Sequence, residues 1–122
     1  MSKGARRQTR HKLWRWGNWT ARINKLQLEL EAAREFHLTG AAAKQCQRTI
    51  EQLELEAADV MRQRDIVENA VLELTPLQQK ILSARYIDGH SWAYISIKIS
   101  MAENYLKRQE ALAVDALSKK II

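Results

Sequence analysis

The sequence predicts an all-α chain: a long antiparallel helical hairpin followed by a C-terminal helix-turn-helix. Three observations predict it. Among 122 residues there are one proline and four glycines, with abundant Ala, Leu, Glu, Lys, Arg and Gln, whose side chains lose little rotamer freedom in a helix. Apolar residues recur at steps of three and four between Ile23 and Leu74, the spacing of one helical face. Beyond them, Thr75-Pro76 and Ser91-Trp92 read as two helix starts, each with a hydroxyl N-cap and the first followed by a proline whose missing N–H costs nothing there.

Residues 1–22 read as a basic, Trp-rich N-terminal arm. Residues 1–28 hold eight basic groups and no acidic one. The stretch "KLWRWGNW" places Trp14, Trp16 and Trp19 among arginines. Tryptophans interleaved with arginines suit stacking on nucleic-acid bases. The plainer reading, preferred for Trp16 and Trp19, is that they anchor the first helix to the rest of the fold; Trp14 fits it least.

Residues 23–74 read as the hairpin. Ile23, Leu26, Leu30 and Ala33 mark one helix, and His37-Leu38-Thr39-Gly40 ends it, since Gly40 can adopt a left-handed backbone. The second helix carries Cys46, Ile50, Leu53, Ala57, Val60, Arg64, Val67, Val71 and Leu74 at heptad steps. Two such stripes joined by a short connection zip together. The second stripe is longer, so its surplus is expected to meet either the C-terminal unit or a second copy of the chain. Cys46 reads as a small seam residue, and Arg64 as a side chain that snorkels to water.

Residues 75–122 read as the helix-turn-helix. Leu77, Ile81, Leu82 and Tyr86 mark an amphipathic helix that Asp88-Gly89 terminates. In "SWAYISIKIS" the apolar residues alternate as in a strand, but both neighbouring segments are helical and a lone strand is unstable. As a helix, Trp92, Ile95 and Ile99 share a face, and Ile97 alone points away. Ser100 is expected to break the chain, Met101 to plug the turn, and a long helix to follow from about 102 to 119. Leu106, Ala113 and Leu117 mark its inner face.

The segment "LTPLQQKILSARYIDGHSWAYISIKISMAENYLKRQEALAVDAL" resembles sigma-factor region 4. The likeness lies in a helix ending in Tyr-x-x-Gly (Tyr86 to Gly89), a Ser-Trp-x-x-Ile scaffold helix (Ser91 to Ile95) and a following recognition helix. It covers about residues 70 to 120. With a charged helical segment in front, the arrangement is similar to phage late-gene transcription regulators of the RinA/ArpU type. The chain departs from the pattern at Glu110, where the family has an apolar residue, at Ser100 in place of Gly, and at Ile97 in place of a polar residue. The resemblance implies a sequence-specific DNA-binding regulator in the cytoplasm of a bacterial host cell. Its base-reading residues would be Glu103, Asn104, Tyr105, Lys107 and Arg108, and its backbone contacts Arg85, Ser91, Tyr94 and Lys98. Arg6, Arg7 and Arg10 of the arm would add salt-dependent affinity.

Charge supports a polyanionic partner. The net charge is +6, with basic ends flanking an acidic middle in which residues 29–74 carry ten acidic and five basic groups. Expected partners are double-stranded DNA, RNA polymerase and further copies of the chain, without a membrane, because no apolar run approaches the length of a span. Catalysis, metals and cofactors are not expected: His11, His37 and His90 are scattered, there is one cysteine, and no Gly-rich phosphate loop occurs. Three alternatives stand beside the regulator. They are a small terminase subunit for DNA packaging, a Q-like antiterminator suggested by Trp-Gly-x-Trp, and a helical protein that sequesters another protein.

Overall fold

A computed structural model describes residues 3–35 and 39–121, and these form five helices with no strand. They are α1 (Lys3–Glu35), α2 (Gly40–Val71), α3 (Pro76–Leu82), α4 (Trp92–Ile99) and α5 (Glu103–Ile121). The all-α expectation is met. His37 and Leu38, expected to close the first helix, lie outside the described residues.

α1 runs without a break through position 22, so the basic arm and the first hairpin helix are one element. The reason is a buried stripe that begins well before Ile23. Thr9, Leu13, Trp16, Ile23, Leu26 and Leu30 are all buried, and their three- and four-residue steps keep one face turned inward. Thr9 sits in this stripe as a polar member because its hydroxyl is satisfied twice, by Ala5 O at 2.8 Å and by Ser118 Oγ at 2.6 Å. The buried indole N–H of Trp16 has no hydrogen-bond partner among the described residues.

α2 lies antiparallel to α1. Cys46 Sγ reaches Ala33 O, Arg22 pairs with Glu56, and Leu13 and Trp16 share one apolar cluster with Val67 and Val71. Every member of the heptad series from Cys46 to Leu74 is buried or half-buried. Arg64 holds its place by pairing with Asp65 and Glu68. Gly40 adopts the left-handed backbone (φ +63°) and is the first residue of α2.

The surplus of the α2 stripe meets the C-terminal unit. Val67, Ala70 and Val71 join Leu82, Tyr86, Ala113, Val114, Leu117 and Ile121 in the main core. A second, smaller cluster of Ile81, Ile95 and Leu106 ties α3, α4 and α5 together. Full burial of each of these three side chains contributes about 1.5–3 kcal/mol, which is what a helix as short as α4 requires to persist.

α3 starts as expected, with Thr75 and Gln78 forming a reciprocal capping box and Pro76 at the first position. Its continuation is a single wide turn, Ser83–Ile87, of π type, in which Asp88 N–H bonds Ser83 O at 3.0 Å. Gly17 of α1 packs on this turn so closely that a Cβ at position 17 would collide with the Tyr86 carbonyl. A mid-helix glycine costs about 1 kcal/mol against alanine, and this approach is its compensation. α4 begins at Ser91, whose Oγ accepts from Tyr94 N–H. Ser100 ends it in the left-handed conformation (φ +60°). Met101, expected to plug the turn, is exposed. Ser100 swings the chain outward, and the turn is closed by Met101's backbone, which bonds Ser96 O and Ser96 Oγ.

Candidate nucleic-acid interface

α5 presents its first two turns to solvent on one side and to the core on the other. Leu106 is fully buried against Ile95 and Ile81. That anchorage turns Glu103, Asn104, Tyr105, Lys107 and Arg108 outward, and all five are exposed. Glu103 lies in the first turn, where its charge complements the helix dipole. Neither Lys107 nor Arg108 makes an ion pair among the described residues. α4 supplies a second set: Ser91, Tyr94 and Lys98 are exposed, with the Tyr94 ring lying 4.1 Å from that of His90. Ile97 is 80% exposed, so nothing in the fold packs on the one residue that the helical reading of this stretch leaves outside.

The cations expected on a DNA backbone divide into two kinds. Arg7 is exposed and unpaired among the described residues. Arg6 and Arg10, expected there too, are partly exposed and ion-paired to α5. Arg6 makes a bidentate bond to Asp115, at 2.7 and 2.8 Å, which raises the guanidinium pKa and lowers that of the carboxylate, chiefly through the hydrogen bond. Arg10 bonds both oxygens of Glu110. Arg85, also expected on the backbone, is half-buried, donates to His90 O at 3.0 Å and lies between two rings, 5.6 Å from Trp14 and 5.2 Å from Trp92.

Glu110 is where an apolar residue was expected, and the structure gives its reason. The side chain is 4% exposed, but it accepts from Tyr86 Oη at 2.6 Å as well as from Arg10. A buried carboxylate held by a guanidinium and a phenol has its charge compensated. The phenol responds in turn: burial, then the bond and the negative charge of Glu110, push the Tyr86 pKa well above the usual tyrosine value. This network clamps α1 and α5 to the π turn.

Trp16 is buried and Trp19 packs beside the main core, as the anchoring reading has it. Trp14 is different. It is 43% exposed, with its ring edge-on to Tyr86 at 4.7 Å. Together with Arg10, Arg85, Trp92, Lys107 and Glu110 it lines a cleft of about 320 Å³. This meeting of α1, the π turn, α4 and α5 is not legible in the sequence. Arg10 and Trp14 share a helical face at i and i+4, but nothing local indicates what that face meets.

No helix among the described residues is long and apolar enough to cross a membrane, and no cluster of three or more potential metal-ligating residues occurs among them. No family model matches the chain, and no curated protein or solved structure matches it either.

Proposed function

We propose that the protein is a sequence-specific DNA-binding transcription regulator of the phage late-gene type, working as an oligomer at a promoter and acting on the RNA polymerase there. In this reading α4 and α5 are the two helices of a helix-turn-helix and α5 enters the major groove. The observation that carries the proposal is the orientation of α5: one buried residue, Leu106, holds it against α4, while a run of polar side chains suited to base edges faces solvent. Arg108 suits the O6 and N7 of guanine, Asn104 the edge of adenine, and Glu103 the amino group of cytosine. Lys107, with Ser91, Tyr94 and Lys98, suits phosphate and sets register.

The test is selection of a preferred duplex from a random pool, followed by binding isotherms for the wild type and Arg108→Ala. Loss of one bidentate contact should cost about 1–3 kcal/mol on the preferred site and relax the base choice at one position. Absence of salt-sensitive duplex binding, or an Arg108→Ala variant with unaltered preference, rejects the proposal.

A further inference from the structure

The outward face of the first half of α1 takes no part in the packing. Arg7, His11 and Arg15 stand on it at steps of four, all exposed and with no ion pair or hydrogen bond recorded among the described residues. At 1.5 Å per residue they form a line about 12 Å long. Arg6 and Arg10, one residue away from this line, are committed to Asp115 and Glu110. The two unpaired guanidinium groups among the described residues of this half, Arg7 and Arg15, are therefore on the outer side. No acid interrupts the line, since residues 1–28 contain none.

Trp14 connects this face to α5. Its exposed ring is held by Tyr86 and Arg85, so it is a fixed feature of the surface. Lys107 of α5 lines the same cleft as Trp14, so the edge of the basic line lies beside one of the exposed cations of α5. A lipid surface fits poorly, because such binding requires an apolar face to bury and this one offers a single tryptophan among cations. Two unpaired guanidinium groups about two helical turns apart, with the His11 ring between them as a further hydrogen-bonding group, match a phosphate backbone.

We propose that Arg7, His11 and Arg15, with Trp14 at the inner edge, form a second phosphate-binding surface for double-stranded DNA, lying on the backbone beside the segment that α5 contacts. This rests on the DNA-binding reading above and adds a helix outside the reader module to the interface.

The experiment compares the wild type, Arg7→Ala/Arg15→Ala and Arg108→Ala on two duplexes: one just covering the preferred site, and one extended by about one helical turn, about 10 bp. Binding is measured as a function of salt. The wild type should bind the longer duplex more tightly. The double variant should lose that gain, keep its base preference, and show a slope of log affinity against log salt smaller by about 2. Between 50 and 200 mM salt the wild type should then lose roughly twelvefold more affinity than the variant, using about 0.9 counterion per phosphate. Both substituted residues are exposed, and circular dichroism is the check that the fold is kept. If wild type and double variant share the same slope and the same length dependence, the second surface does not exist, and the α5 reading stands untouched. If the wild type binds neither duplex, both readings fall. If poly-glutamate is bound as tightly as duplex and with the same loss in the variant, the face is a general polyanion surface and the DNA assignment is wrong.

Discussion

Replacing Glu110 by Met removes the charge and both acceptor oxygens at the centre of the Arg10–Glu110–Tyr86 network at nearly unchanged volume. Two contributions are lost. The Tyr86 hydroxyl bonds a carboxylate at 2.6 Å out of contact with water, and such charge-assisted bonds contribute about 1.5–3 kcal/mol. The Arg10 side chain is 41% exposed, so its ion pair is screened and adds about 1 kcal/mol at most. Glu110→Met should therefore cost about 2–4 kcal/mol, and Tyr86→Phe about 1.5–3 kcal/mol. In the double variant the Tyr86–Glu110 bond can be lost only once, so the two costs should fall short of additivity by about 1.5–3 kcal/mol. Urea unfolding followed by circular dichroism, extrapolated linearly to water, measures all four corners of the cycle. A second arm uses pH. The folded Tyr86 pKa is raised by burial and by Glu110, so its contribution is fully present below the unfolded value of about 10. It is lost as pH rises above that value and through the folded pKa. Tyr86→Phe should remove this alkaline loss. Additive single costs, with a coupling below about 0.5 kcal/mol, would refute the view that the network is what holds α1 and α5 to the π turn.

Two further outcomes follow from backbone geometry. Gly17→Ala gains helix propensity but drives a Cβ into the Tyr86 carbonyl, so it should destabilise by about 1–3 kcal/mol, readable as a lowered urea midpoint. Ser100→Gly relieves a left-handed backbone at φ +60° and should stabilise by about 0.5–1 kcal/mol, seen as a raised midpoint with an unchanged m-value.

What the sequence determined by itself was local. The stripe from Cys46 to Leu74 repeats at helical spacing and turns inward at every member. Thr75 and Ser91 cap helices because a hydroxyl before a helical run satisfies N–H groups within three residues of it. Ile95 and Leu106 were legible as inner positions for the same reason. What only the tertiary structure decided was which charges meet. Arg6 and Arg10 looked like a solvated arm beside Arg7, because a row of cations carries no mark of partners a hundred or more residues away. Asp115 and Glu110 supply those partners only once α1 crosses α5. Trp14, two residues from buried Trp16, is 43% exposed because two helical steps of about 100° turn it to the other side of α1. Periodicity acts within a few residues and can be read from order alone. Pairing of charges depends on distance in space, and folding sets that distance by burying the apolar stripes first in the energetic ranking: non-directional burial places the helices, and the ion pairs form where that placement lets them.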